Sequence, residues 1–437
     1  MDKIKQSLTS NSFIALIYII TVFLWWLNEP IIAMILYVIL AIIIIITDTK
    51  RITIVTLIMA ALISFRDTNL SSTAPIITIT VIVALPFIIF DIAKTKFNFK
   101  NKILIALLIF LGANVLSLIN ITKDTIIWGL LGVAQTFAFA LLFFYLSNRQ
   151  KEGDFKYLGK NAAALGISIA VEFAIYALTY DGDMIGKNIK LGWGMSNSIA
   201  MLVTMLVPLT YSLYLQNQNN KFPLFAVIIE LTVVLLMLSK GAYIAMAVVL
   251  VLLGILLLKK AKDRKTLIYD HIFAFGLYGI VLLAIFQIDS LKQGFLLYFE
   301  RMDDRGWFID ASRIDIYKYS LSIFKRFPLF GSGSYTGVYY LVEGGFPANL
   351  IHYHNIFLHS LATLGIVGLG SFLYFLYVSI KSTFVNQSYN ITVFIAIVGM
   401  IIHGMVDNTW YNPLIIICLL TALSVLGKVK QANLVHN

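Results

Sequence analysis

Long apolar runs separated by short polar breaks occupy the chain from Phe13 almost to its end. A helix needs about 20 predominantly apolar residues to cross the hydrocarbon of a bilayer. The runs therefore predict helical spans near 12–27, 30–47, 52–65, 75–93, 103–120, 126–147, 159–180, 193–216, 222–238, 241–258, 270–287, 354–380, 389–407 and 411–427. The third and ninth are short, so the expectation is about 12–14 crossings. Lys3 and Lys5 ahead of Phe13–Leu27 imitate a secretory signal, but the run closes on Trp25-Trp26-Leu27-Asn28 without a small-residue cleavage site, so it is read as a retained first span. The fold class expected is all-α: a polytopic integral membrane protein with one long extracytoplasmic loop holding short amphipathic helices. Three regions follow: N-terminal transmembrane helices (1–190), a core (191–380) that includes the loop 288–353, and C-terminal transmembrane helices (381–437).

Composition supports the same solvent. Of 437 residues, 59% are hydrophobic and 13% charged, whereas soluble domains carry about a quarter charged residues. A soluble enzyme, a disordered chain and a nucleic-acid binder are excluded. The net charge of +11 is explained by topology instead. With both termini in the cytoplasm, 21 of the 33 Lys and Arg fall inside, among them Lys94, Lys96, Lys100 and Lys102 and the run Lys259 to Lys265. Seven of the outer cations lie in the loop 288–353, balanced by Asp289, Glu300, Asp303, Asp304, Asp310, Asp315 and Glu343. The single cysteine, Cys418, lies in the last apolar run and has no partner for a disulfide or metal site.

The loop 288–353 is the one large water-facing segment and so the natural place for chemistry. Ser312 and Asp315 read as a capping box; Ile314, Tyr317, Leu321 and Phe324 then recur at helical spacing up to Phe327-Pro328. An amphipathic surface helix is expected, with Arg313 in its first turn, where free N–H groups also favour an anion.

Topology places several polar residues at the outer membrane level: His354 at the start of a span, His403 and Asp407 four residues apart on one helical face, Lys240 in the break Ser239-Lys240-Gly241, and Asn197. With Arg301, Arg305 and Arg313 they form a cationic cluster bearing histidine, suited to a lipid-linked diphosphate. Arginine and lysine stabilise a departing diphosphate, and a histidine takes the proton of an attacking hydroxyl. Each has a plainer reading as well. Lys240 can snorkel, His403 and Asp407 can satisfy one another, and Arg301 and Arg305 flank Asp303-Asp304 in a self-neutralising run. Asp303-Asp304 is a weak signal for a divalent cation, and no metal is expected. The run Gly331 to Gly337 lacks the strand-turn-helix context of a nucleotide loop and is read as a glycine-permitted turn holding the loop against the membrane. Glu172 and Glu230, near the middle of two spans, are the best sequence evidence for a proton-coupled transporter. No paired glycine- or proline-broken spans accompany them, and buried structural hydrogen bonds are the preferred reading.

Ser312-Arg313, Phe327-Pro328-Leu329-Phe330-Gly331-Ser332-Gly333, His354-Asn355 and Gly365-Ile366-Val367-Gly368 stand in an order that resembles the O-antigen ligase and polymerase family of bacterial envelope glycan enzymes. Leu238-Ser239-Lys240-Gly241-Ala242 looks like that family's upstream motif, so the likeness runs from about Gly192 to Gly370. The resemblance implies a glycosyltransferase core in 191–380 that takes an oligosaccharide from undecaprenyl diphosphate on the outer leaflet of a bacterial plasma membrane. It would join it to an acceptor hydroxyl with inversion, without metal or other cofactor. Carried over by position, His354 is the base and Arg313 binds the diphosphate. Lys240 replaces the family's arginine, keeping the charge but losing the planar fork. Arg301, Arg305, Asn197, Asn355, His403 and Asp407 are expected substrate contacts. Partners implied are the lipid-linked oligosaccharide, a glycan acceptor, the bilayer and other polysaccharide-assembly membrane proteins. The expected activity is polymerisation of lipid-linked repeat units. The alternatives are a ligase delivering a finished glycan and a transporter or flippase of an anionic lipid-linked substrate.

Overall fold

The computed structural model describes residues 2–66, 86–94, 99–179, 189–191, 194–260, 264–305, 311–348, 350–384, 390–408 and 410–426. It is an all-helical bundle; its extended structure, among the described residues, is a two-strand pairing of Lys190–Leu191 with Gly194–Met195. Seven helices are long and apolar enough to cross a membrane, or eight if the bent pair Asp2–Leu8 and Asn11–Leu27 is one span, and five shorter apolar helices accompany them. These follow the apolar runs in order, with ends that differ by up to six residues. The run 75–93 is described only at 86–93, which is helical; the remainder lies outside the described residues.

Local chemistry sets the helix ends. Asn101 caps Lys102–Leu116, its Oδ1 accepting from the Ile103 and Leu104 N–H groups, and Asn412 caps Pro413–Ser424 in the same way. Prolines begin Pro30–Ile46 and Pro413–Ser424, where their missing N–H costs nothing. Ser196–Gln216 is the hub: nearly all of it is buried, and it packs against Phe222–Leu236, Asn390–Gly404, Asp154–Thr179 and Lys240–Lys260. Ile356–Thr383 packs on Lys102–Leu116 and on the amphipathic helix Ala311–Arg326. Trp410 fills the centre of an aromatic box of Phe110, Phe372 and Phe375.

The ends of the bundle segregate as alternating spans require. At one end Arg51 and Arg149 converge on Asp91, which Tyr145 also bonds, while Lys50 pairs with Asp154 and Lys151 with Asp48. A separate cluster joins Asn197, Arg313, His354 and Asp407.

One feature departs from the sequence reading. Gly365 breaks Ile356–Thr383 at φ 68, and the segment 328–333 runs beside the break. Ser332 N–H donates to Ala362 C=O (3.0 Å) and Gly333 N–H to Thr363 C=O (2.9 Å), while Ile366 N–H donates to Pro328 C=O (2.9 Å). Backbone groups freed by the break are thus satisfied inside the protein, as a membrane interior demands. Space allows nothing but glycine here: a Cβ on Gly365 would lie 2.3 Å from Leu329 O, and one on Gly331 (φ 72) 2.2 Å from Leu364 N. Beyond Gly333 the loop enters the bundle, where buried Ser334 donates to Asn114 Oδ1 (2.8 Å) and takes part in a bond to Ser117. The glycine-rich run is thus a threaded strut of the bundle.

Candidate active site

Two helix ends meet at the site. Asn355 caps Ile356–Thr383 by accepting from the Phe357 and Leu358 N–H groups, so the preceding residue, His354, stands at the helix entrance. His354 adopts φ 47, a left-handed conformation that costs a non-glycine residue and that must be held by its surroundings. Tyr317 of the amphipathic helix does part of that holding, donating its hydroxyl to the His354 carbonyl (3.1 Å). From the other side, Asn390–Gly404 ends at its glycine, and the chain turns through Met405 and Val406 to Asp407.

Asp407 is the hub. Its Oδ1 lies 3.1 Å from His354 Nδ1 and accepts from the Asn408 N–H (2.8 Å); its Oδ2 accepts from Asn197 Nδ2 (2.9 Å). His352 Nε2 lies 3.6 Å from the same Oδ1, and the two imidazoles meet edge to face, with centroids 4.5 Å apart. Burial works to raise the Asp407 carboxyl, but the His354 hydrogen bond and the surrounding imidazoles of His352, His354 and His403 outweigh it and hold it well below the usual carboxylate range. Burial pushes His352 down to about 4, against the pull of Asp407, so this ring is neutral at physiological pH. With Nδ1 of His354 donating to an ionised Asp407, Nε2 is the nitrogen left to accept a proton.

Cationic groups flank the pair. Arg313 Nη1 donates to Val406 O (2.5 Å), next to Asp407, and its charge acts on His352, Tyr317 and Tyr298. Tyr298 in turn hydrogen-bonds the backbone of Lys240. Lys240 is the first residue of Lys240–Lys260, entered through Leu238 at φ 50, so a helix N-terminus and an ammonium coincide there.

The structure thus gathers Asn197, Arg313, His354 and Asp407, while Lys240 opens a helix whose Gly241 lies against His403. His403 is buried behind them, its Nε2 3.5 Å from Ser239 Oγ and its ring against Gly241, where a Cβ would lie 3.1 Å from the imidazole. Asp407 lies beyond the helix end, and its carboxylate reaches His354 across 53 residues, which corrects the expectation of a helical-face pair with His403. Asn355 is committed at both ends of its amide, capping the helix through Oδ1 and donating to Met405 O (2.8 Å) through Nδ2, so its geometry is that of a brace for the turn. Arg301 is exposed on Asp289–Arg305, with no hydrogen bond or ion pair to the cluster among the described residues. The side chains of Arg305, Asp304 and Ser312 lie outside the described residues, and with them the capping box and the paired-acid cation site.

The sequence pattern assigns no site role to His352 or Tyr298 and places Tyr317 only in the apolar spacing of the amphipathic helix. The His-x-His spacing of Ile351-His352-Tyr353-His354 was the available signal for the first; nothing local marks the two tyrosines. Among the described residues, His352, His354 and Asp407 form a group able to hold a metal ion, with one ligand atom from each within 4.8 Å of the others. Of the two intramembrane acids, Glu230 accepts from Thr210 (2.7 Å), as a structural hydrogen bond would. Glu172 is fully buried and finds no hydrogen-bond partner among the described residues, against the expectation for it.

An all-helical, multi-pass membrane protein with a histidine–carboxylate pair and flanking cations at one end of its bundle is the class this geometry defines. Residues 224–373 match the family described as O-antigen ligase, which supports the O-antigen ligase and polymerase family and a membrane enzyme of that type acting on polysaccharide. The matched stretch contains Lys240, Arg313 and His354. No curated protein matches the chain.

Proposed function

We propose that the protein transfers an oligosaccharide from undecaprenyl diphosphate to a sugar hydroxyl at the outer leaflet of the bacterial plasma membrane, polymerising lipid-linked repeat units of a surface polysaccharide. The observation that carries this reading is the His354–Asp407 pair at 3.1 Å beside Arg313, at the end of the bundle where Lys240 begins a helix. In this reading Nε2 of His354 removes the proton of the acceptor hydroxyl as its oxygen attacks the anomeric carbon. The bond from that carbon to the diphosphate breaks, and its electron pair leaves on the diphosphate oxygen. Arg313, Lys240 and the dipole of the Lys240–Lys260 N-terminus stabilise that developing charge. Asp407 orients His354 and balances the imidazolium as it forms, the role of the carboxylate in a catalytic triad. Asn197 fixes the far oxygen of Asp407. The lysine-rich ends of the bundle face the cytoplasm, in accord with the distribution of cations, and both termini lie there.

The region 191–380 is the proposed catalytic core. Lys240 in place of arginine favours polymerase over ligase. The test is purified protein with a synthetic prenyl diphosphate oligosaccharide. A ladder of longer lipid-linked glycans is expected from the native chain and none from His354→Ala; long glycan from that variant overturns the assignment. Transfer of a single preformed glycan to a different acceptor would identify a ligase. The transporter reading draws on the isolated Glu172 carboxylate, and it requires that Glu172→Gln abolish uptake while His354→Ala does not.

A further inference from the structure

We propose that His352, His354 and Asp407 form a binding site for a borderline divalent transition-metal ion, Zn2+, and that its occupation switches off proton transfer at His354. This inference rests on the functional reading above for its second half only. Asp407 Oδ1 faces both imidazoles, 3.1 Å from His354 Nδ1 and 3.6 Å from His352 Nε2. Tetrahedral zinc with bonds of about 2.0–2.2 Å places its ligand atoms roughly 3.3–3.5 Å apart. Those two separations bracket that value, and the three ligand atoms lie within 4.8 Å of one another. Two imidazoles and one carboxylate are the donor set of an open zinc site, which leaves a position for water. Their side chains keep 17%, 20% and 12% of their surface exposed, so an ion has a path to them. Magnesium and calcium, which prefer all-oxygen shells, gain little from two imidazoles.

Binding rearranges protons in a defined way. Zinc on His354 Nδ1 displaces the N–H donated to Asp407, and the ring's remaining proton then sits on Nε2. That nitrogen can no longer accept a proton from an acceptor hydroxyl. Zinc on His352 Nε2 puts that ring's proton on Nδ1, giving up the long 3.4 Å contact from the His354 N–H. Asn197 Nδ2 on Oδ2 and the Asn408 N–H on Oδ1 remain as outer partners that orient the carboxylate. His352 supplies metal affinity and no step of transfer, which separates the two functions.

The test uses the full-length chain in detergent, stripped with chelator and titrated with Zn2+ against a competing dye, and with Co2+ for its visible absorption. One equivalent of each is expected, with the intense bands of tetrahedral Co2+. Affinity should fall at least about 10–100-fold in His352→Ala and in Asp407→Asn, the loss that removal of even an outer partner causes. His352→Gln serves as a second variant if His352→Ala is not monodisperse. In transfer assays saturating Zn2+ should suppress the native protein at least ~10-fold, with chelator restoring it; His352→Ala, measured against its own Zn2+-free rate, should need ~10-fold more Zn2+ for the same suppression. Absence of stoichiometric binding, or binding and inhibition unchanged in both His352 variants, overturns the proposal. Binding with the expected variant pattern in a protein that never transfers glycan upholds the metal site and overturns the functional reading. Transfer that is indifferent to bound Zn2+ overturns the switch.

Discussion

Asp407→Asn tests the chemistry with the least change of shape. The carboxylate accepts from three donors: His354 Nδ1 at 3.1 Å, Asn197 Nδ2 at 2.9 Å and the Asn408 N–H at 2.8 Å. An asparagine amide has a single oxygen. If it faces His354, its NH2 confronts the Asn197 NH2, donor against donor; if it faces Asn197, its NH2 confronts Nδ1 and drives the imidazole into the tautomer whose Nε2 already carries a proton. Each hydrogen bond to a charged group contributes about 1.5–3 kcal/mol, and the wrong tautomer removes the base itself. A fall in kcat of about 100- to 1,000-fold is expected, or ~2.7–4.1 kcal/mol at 1.36 kcal/mol per tenfold. KM for the lipid-linked donor should hardly move, because Arg313 and Lys240 are untouched. Initial rates with a synthetic prenyl diphosphate donor, read by chain-length analysis on protein shown to be monodisperse, measure both constants. A kcat within about threefold of the native value in a folded Asp407→Asn protein, with His354→Ala inactive, would refute the orienting role; so would a loss confined to KM.

Arg313→Lys should raise KM for the donor about tenfold or more, since a lysine cannot hold Val406 O and a phosphate oxygen in the same planar fork; equal KM in the two proteins argues against diphosphate contact. Gly365→Ala should destabilise the protein by at least ~3 kcal/mol, because strain at φ 68 adds to a 2.3 Å clash with Leu329 O; a thermal midpoint in detergent unchanged from the native protein would show that the threaded loop can shift. His352, at about 4 in the folded protein against an ordinary 6.5, binds its proton later than the unfolded chain does, so its contribution is complete above pH 6.5 and disappears as pH falls toward 4. The loss amounts to about 3 kcal/mol at the acid end, and His352→Asn should flatten the fall in melting temperature between pH 7 and 4.5; a fall of equal steepness in that variant removes His352 as its origin. Glu172→Gln should leave glycan transfer within about threefold, whereas loss of transfer in that variant would draw this buried acid into the mechanism.

The spans were legible in the sequence because a bilayer tolerates little besides long apolar helices. Alternation of spans also sorted Asn197, Lys240, Arg313, His354 and Asp407 to one end. Side-chain partners were not legible. Asp407 was read as the last turn of a helix, but Gly404 ends that helix, packed where a Cβ would meet Ile356 at 2.7 Å, and the carboxylate swings to another segment. No periodicity encodes the left-handed backbone of His354, which aims its ring. The break at Gly365 was hidden for a related reason: one glycine inside an apolar run reads as continuous helix until the segment that satisfies its freed carbonyls is known.

The placement of His354 explains why a carboxylate must accompany it. The ring stands at the N-terminus of Ile356–Thr383, where the helix dipole presents positive potential, and Arg313 adds a full positive charge nearby. Both favour a departing diphosphate and both oppose an imidazolium formed beside it. A site that needs cations for the leaving group and a protonated base in the same step therefore needs an anion touching the base and remote from the phosphates. Asp407 meets that requirement: one oxygen is on His354, the other is held by Asn197, and its charge is maintained by hydrogen bonds against burial. Removing that charge should accordingly harm the base while leaving anion binding intact, whereas removing Arg313 should do the reverse.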